Sequence, residues 1–252
     1  MKDAWGRTIE YVRLSLTDAC NFCCPYCRPA EITPQSQHQL LSVDEWMTIL
    51  GAFHQVGVKA VRLTGGEPLL YPHIEELLAR IKQTGWFEDI SMTTNGSFLA
   101  PRAAKLKELG LNRVNISLDS LDSDAFTLCV GKANQLDSVL SGIQSAIDAG
   151  FTSVKINTVL SRHWTDDEVH DLLHYVETWP VIWRFIEYMP FQGDAFHGPT
   201  FDEWKAQLER VSGGILTENH DVYGFGPATY YNLPSGKEIG FIFSMSHSYC
   251  DT

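Results

Sequence analysis

Apolar, β-branched residues recur along the chain in short runs: "YVRLSL" at 11 to 16, "AVRLTG" at 60 to 65, "DISMTT" at 89 to 94, "RVNISLD" at 113 to 119, "SVKINTVL" at 153 to 160 and "VIWRFIEYM" at 181 to 189. Runs of this length and composition predict strands. Between them the apolar positions return every three or four residues in "SVDEWMTILGAFHQVG", "HIEELLARIKQTG", "PRAAKLKELG", "LDSVLSGIQSAIDAG" and "DDEVHDLLHYVETW", the period of an amphipathic helix. Ser42 precedes an acidic first turn, Pro101 stands near a helix start, and Gly57, Gly85, Gly110 and Gly150 mark helix ends. Strict alternation of strand and helix predicts parallel βα units. Six such units predict an α/β fold with a partly closed barrel, and an open doubly wound sheet is the alternative.

Polar or glycine-rich residues follow the strands: Thr17 and Asp18 after the first, "TGGEP" (64 to 68) after the second, "TTNGS" (93 to 97) after the third and "SLDSLD" (117 to 122) after the fourth. In parallel barrels such loops carry the chemistry. Beyond residue 190 the pattern loosens, resumes as a helix at "TFDEWKAQLERV" and closes with the hairpin-like "TYYNLPSGKEIGFIFSMS". The expected organisation is a barrel over residues 1–215 and a C-terminal β segment over 216–252.

Composition narrows the function. With 44% hydrophobic and 20% charged residues over 252 positions, the chain buries a large core. A net charge of -12 opposes general phosphate-backbone binding, and the tryptophans lack basic neighbours, so no nucleic-acid partner is expected. No stretch approaches about 18 uninterrupted apolar residues and the N-terminus has no apolar signal core, which predicts no membrane association and a cytoplasmic location.

Four of the six cysteines fall in "CNFCCPYC". That is too few for a disulfide scaffold and too tightly packed for independent bridges. Cys20, Cys24 and Cys27 have the spacing C-x3-C-x2-C. Zinc usually takes a fourth protein ligand, and the next histidine, His38, stands far along the chain. A cubane held by three thiolates leaves one iron open and suits the spacing better, with zinc and buried unliganded thiols as the other readings. Arg13, Arg62 and Lys155 interrupt apolar strands at positions a barrel would turn inward. A buried cation needs a carboxylate, with Glu67, Asp119 and Glu187 as candidates, or a ligand phosphate, and the residues alone favour the ion pair. His170 and His174, spaced i, i+4, read as a surface pair, and Cys129 as a small buried hydrophobe.

"CNFCCPYC" followed by "TGGEP" resembles the radical S-adenosylmethionine (SAM) superfamily. More narrowly, "RLSLTDACNFCCPYCRPAE", "VRLTGGEPLL", "TTNGSFL", "NISLDSLD" and "RFIEYMP" stand in the order and spacing of the GTP 3',8-cyclase family of molybdenum cofactor biosynthesis, a likeness covering essentially the whole chain. The resemblance implies a partial (βα)6 TIM-type barrel and a [4Fe–4S] cluster on Cys20, Cys24 and Cys27, with SAM on the open iron. Tyr26, Gly66, Ser117 and Met189 would line the SAM site, although a Met ending a strand reads equally as core. It implies GTP as substrate, held by Arg13, Arg62, Thr93 and Lys155; Arg184, in "IWRFIEY", is a weaker candidate for a fourth cation. Reductive SAM cleavage would be followed by hydrogen abstraction from GTP. An electron donor such as flavodoxin or ferredoxin is implied as a partner, and a homodimer is allowed.

The chain departs from the family pattern at Cys23, which creates a competing triad with Cys20 and Cys27, and at Arg28, where relatives carry an apolar residue. It also ends at "SMSHSYCDT". Cys250 matches the first of three family cysteines that hold a second [4Fe–4S] cluster, and the other two would lie beyond the last residue. The expectation is a C-terminally shortened cyclase that cleaves SAM but makes little cyclised GTP. The alternatives are a radical SAM protein with another substrate and a catalytically silent cluster-binding remnant.

Overall fold

A computed structural model describes residues 6, 8–27, 40–190, 198–220 and 227–246. It divides into two compact units. The first comprises Met1–Asn21, Glu31–Ile116 and Asp137–Val154. Its strands β1 (Tyr11–Ser15), β2 (Ala60–Thr64), β3 (Asp89–Thr94) and β4 (Arg113–Ser117) lie side by side in that order, all parallel. Helices α1 (Val43–Gln55), α2 (Ile74–Thr84), α3 (Ala103–Glu108) and most of α5 (Leu136–Asp148) belong to the same unit.

Local chemistry sets these boundaries. Ser42 and Glu45 form a reciprocal capping box that satisfies exposed N–H groups at the start of α1. The four glycines expected at helix ends, Gly57, Gly85, Gly110 and Gly150, all have positive φ. The period-two alternation of the strands then sorts side chains into two faces. Leu14, Val61, Leu63, Ile90, Met92, Val114 and Ile116 are buried on one face. Each such side chain contributes roughly 1.5–3 kcal/mol of burial. Arg13, Arg62, Thr64, Ser91, Thr93 and Asn115 occupy the alternate positions and make the other face polar.

The second unit comprises Phe22–Ala30, Ser117–Leu136 and Lys155–Thr252. Its strands run β5-β6-β9-β8-β7, where β5 is Ser153–Val159, β6 Ile182–Ile186, β7 Thr217–Asn219, β8 Thr229–Asn232 and β9 Glu238–Ile242. The pairs β5/β6 and β6/β9 are parallel, and β9/β8 and β8/β7 antiparallel. Helices α4 (Ser123–Val130), α6 (Asp166–Thr178) and α7 (Phe201–Ser212) complete the unit, the last two opened by the capping boxes Thr165/Glu168 and Thr200/Glu203. An aromatic core fixes α7 on the sheet, with Phe185 and Trp204 ring centroids 5.1 Å apart and Phe201 and Phe241 at 5.2 Å, both near edge-to-face.

The strand–helix order agrees with the sequence expectation, and the closing hairpin is β8–β9. Among the described residues three elements are additional: a 3-10 turn at Pro68–Leu70, α4, which grows out of the loop "SLDSLD", and the three-residue β7. Among the described residues no helix is long and apolar enough to cross a membrane.

Candidate functional site

In the first unit, the loop leaving β1 is clasped by the turn leaving β2. The Gly66 N–H donates to the Thr17 carbonyl at 2.7 Å and the Glu67 N–H to the Ala19 carbonyl at 2.8 Å. A Cβ on Gly65 (φ +144°) would stand 2.3 Å from the Thr17 oxygen, and one on Gly66 would stand 2.4 Å from the Ala19 oxygen. Only glycine allows this approach. The two glycines thus fit the turn against the chain's own backbone on the way into Cys20.

Glu67, fully buried, ties the third loop to the second. Its carboxylate accepts from the Leu69 N–H (3.0 Å), the Thr94 hydroxyl (2.7 Å) and the Asn95 N–H (2.7 Å). Burial raises its pKa above the ordinary carboxylate range, and these three donors offset only part of the rise. The Asn95 side chain continues the chain of contacts, donating to Asn21 Oδ1 at 2.8 Å and reaching Cys20 Sγ at 3.8 Å.

In the second unit, the Cys27 N–H closes a turn on the Cys24 carbonyl at 3.0 Å, and the Cys23 N–H donates to the Val130 carbonyl at the end of α4 at 2.8 Å. Cys23, Cys24 and Cys27 form no disulfide, with Cys23 and Cys27 exposed and Cys24 half-buried, and Cys20, in the first unit, forms none either. Among the described residues no three Cys, His, Asp or Glu side chains converge as the shell of a single metal ion. A cubane asks for less convergence, because each thiolate binds a different iron, and cysteine sulfurs in no disulfide are the donors it takes. Cys250 and Arg28 lie outside the described residues.

Tyr26, between the last two motif cysteines, donates its hydroxyl to Asp119 Oδ2 at 2.5 Å, and Asp119 Oδ1 accepts from the Val159 N–H at 2.8 Å. Burial raises the Asp119 pKa to about 6. Burial and then the Asp119 charge lift the Tyr26 hydroxyl well above its ordinary value, so it stays protonated and donating. A cavity of about 240 Å³ opens beside Tyr26, walled by Leu128, Cys129, Ser161, Arg162 and Tyr188.

The cations fall in two groups. Arg13 and Arg62 are register partners on β1 and β2, both set against the Tyr11 ring, at 5.9 and 5.2 Å from its centroid. Arg62 Nε donates to Ser91 at 3.3 Å, and Asn115 donates to Thr93 at 3.4 Å on the same polar face. Arg13 is exposed, which corrects the expectation of a buried cation: its strand has a neighbour on one side only within its unit. In the second unit Asn157, Arg184, Gly240 and Tyr230 are consecutive register partners across β5, β6, β9 and β8. Arg184 donates twice to Asn157 Oδ1, at 3.0 and 2.7 Å, and buried Lys155 donates to the Tyr230 hydroxyl at 3.2 Å. A Cβ on Gly240 would stand 2.9 Å from Arg184 Cγ and 3.0 Å from Tyr230 Cε1, so glycine is what lets these side chains lie in one row.

The carboxylates expected as ion-pair partners are occupied by other donors. Glu67 and Asp119 hold the groups just described, and Glu187 accepts from the Met245 and Ser246 N–H groups. Met189 is 50% exposed beyond the end of β6, which corrects its reading as core, and Ser117 is half-buried at the end of β4. His170 and His174 are exposed, and Cys129 is buried as expected. Sequence reasoning missed Asn95, Asn157 and Tyr230. For Asn95 the available signal was a short polar loop directly after a strand.

An α/β chain of parallel units whose double-glycine turn clasps the entry to a three-cysteine loop falls in the class of radical SAM proteins. Residues 14–176 match the family model of the Radical SAM superfamily. The chain is 40% identical to "GTP 3',8-cyclase 2" of Pseudomonas aeruginosa, over 98% of this chain and 76% of that protein. It is 38% identical to "GTP 3',8-cyclase" of Moorella thermoacetica, over 99% and 78%. The chain belongs to the radical SAM superfamily and, within it, to the GTP 3',8-cyclase family. Among solved structures it resembles SuiB of Streptococcus suis bound to S-adenosylmethionine, with TM-score 0.63 and 19% identity over 81% of this chain and 46% of that one. Methylornithine synthase PylB gives TM-score 0.58 at 18% identity over 81% and 62%. These likenesses bear on the fold: α/β, a partial (βα)6 barrel of the radical SAM type. The cofactors are those of the family, a [4Fe–4S] cluster and SAM.

Proposed function

We propose that the chain acts as a GTP 3',8-cyclase in molybdenum cofactor biosynthesis, in place of the expectation that it cleaves SAM with little cyclised GTP, because relatives matched over 98–99% of it bear that name. Cys20, Cys24 and Cys27 hold the cluster, Tyr26, Gly66, Ser117 and Met189 bind SAM, and Arg13, Arg62, Thr93 and Lys155 bind GTP. The observation that carries this reading is the Gly65–Gly66 turn seated on the backbone leading into Cys20, at the end of β2 whose polar face bears Arg62. Cys20, Cys24 and Cys27 would hold the cluster, which together with SAM would supply one-electron chemistry able to remove a hydrogen atom from the substrate.

The chain's own residues bind and aim. A polyanionic substrate meets an overall unfavourable field on a chain of net charge -12, so its affinity comes from local cations. The adjacent Arg13 and Arg62 offer guanidinium forks that match phosphate oxygens, and Lys155 adds a compact charge. Joining C3' to C8 requires the C3' hydrogen to leave. Holding the triphosphate therefore serves to present that hydrogen, and misplacement by about 1 Å costs on the order of a hundredfold in rate. Asp119 fixes the Tyr26 ring beside the 240 Å³ cavity, which takes part of the SAM molecule. Cys250 is assigned to a second cluster, flavodoxin or ferredoxin to the supply of electrons, and the cytoplasm to the setting.

Anaerobic reconstitution tests the reading. It predicts about four irons per cysteine triad and reductive cleavage of SAM. Zinc without iron, or iron without SAM turnover, would contradict it.

A further inference from the structure

We infer that Asn95 is a positioning residue for the cluster: its side-chain amide holds an N–H on the Cys20 sulfur and thereby raises the reduction potential. The inference rests on the assignment of Cys20 as a cluster ligand proposed above.

The orientation of the amide follows from its neighbours. Asn95 Oδ1 accepts from the Ser97 N–H at 3.0 Å and from the Ser97 hydroxyl at 2.7 Å. The opposite orientation would set an NH2 against a backbone N–H, so the amide cannot be turned round. Asn95 Nδ2 consequently faces the cysteine loop. One of its hydrogens goes to Asn21 Oδ1 at 2.8 Å, and Asn21 Nδ2 donates in turn to Ser97 Oγ at 3.0 Å, closing a ring of three side chains. The second Nδ2 hydrogen is left for Cys20 Sγ, 3.8 Å away. The backbone is held as well, since the Asn95 N–H donates to buried Glu67 at 2.7 Å. Asn95 itself is 9% exposed, so water does not readily replace it.

A donor held in this way acts selectively on one redox state. Reduction places additional negative charge on the cluster, and part of it resides on the ligand sulfurs. An N–H aimed at one sulfur stabilises the reduced form more than the oxidised form. A bound cluster would then be easier to reduce and a weaker reductant. A purely structural ring would tie the loops together without moving the potential.

The test is an anaerobic redox titration of the reconstituted full chain, with iron counted in parallel. In Asn95→Ala, at the wild-type midpoint, the ratio of reduced to oxidised cluster should fall roughly three- to tenfold, what one net hydrogen bond is worth, while iron content holds. Asn95→Asp should shift at least as far in the same direction, because it adds negative charge. Ser97→Ala removes hydrogen bonds from the ring but leaves the N–H on sulfur, and should keep the wild-type midpoint. An unchanged midpoint in Asn95→Ala, an equal shift in Ser97→Ala, or loss of iron from both Asn95 variants would overturn the inference. A wild-type chain that takes up no iron would overturn the cluster assignment and this inference with it.

Discussion

The Tyr26 hydroxyl is anchored on Asp119, a carboxylate 2% exposed that also caps the Val159 N–H. Burial raises the Asp119 pKa from 3.8 to about 6, so the folded state prefers the protonated acid. The stability this gives is fully present below about 3.8 and is lost as pH rises through about 6. The loss is on the order of 3 kcal/mol. Asp119→Asn keeps both contacts, with the amide donating to the Tyr26 oxygen, and removes the titration. Urea unfolding between pH 5 and 7 should show the wild type losing stability relative to Asp119→Asn as pH rises. Parallel curves would refute the account of this pair.

Cys24→Ala should abolish cluster assembly, whereas Cys23→Ala should retain it, because Cys20, Cys24 and Cys27 already supply three thiolates. Cys23 is exposed, with its backbone committed to α4. Iron content after reconstitution decides the matter, and equal loss in the two variants would show the wrong triad.

Gly66→Ala should lower the melting temperature and cluster occupancy together. The new Cβ would lie 2.4 Å from the Ala19 oxygen and 2.7 Å from the Asp18 oxygen, both backbone atoms on the way into Cys20. Overpacking of this kind costs roughly 1–3 kcal/mol. A variant of wild-type stability and iron content would mean that the turn is not clasped as described.

Arg62→Ala should weaken GTP binding roughly ten- to hundredfold, the worth of a charged hydrogen bond, and leave SAM binding unchanged. Calorimetry with each ligand separates the two. An equal fall in both affinities would place Arg62 in the scaffold.

The order of elements was legible in the sequence because strand and helix periods differ sharply and capping residues such as Ser42 and Thr165 stand where chemistry needs them. Helix α4 was hidden because "SDAFTLCV" is short and its N-cap, Asp122, lies inside a loop that reads as polar rim. The motif residues were legible from spacing. Their neighbours were not: Asn95 meets Cys20 across 75 positions, and Tyr230 meets Lys155 across the same separation, so neither contact leaves a local trace. Arg13 misled for a related reason, since an apolar strand does not reveal which of its residues borders an open side.

The central claim is that SAM cleavage on this chain serves hydrogen abstraction from GTP at C3'. The most direct measurement uses reconstituted protein, SAM, reductant and GTP deuterated at C3', with 5'-deoxyadenosine analysed by mass spectrometry. The account predicts deuterium in the 5'-deoxyadenosine, lost in Cys24→Ala. Abundant 5'-deoxyadenosine free of deuterium would contradict it.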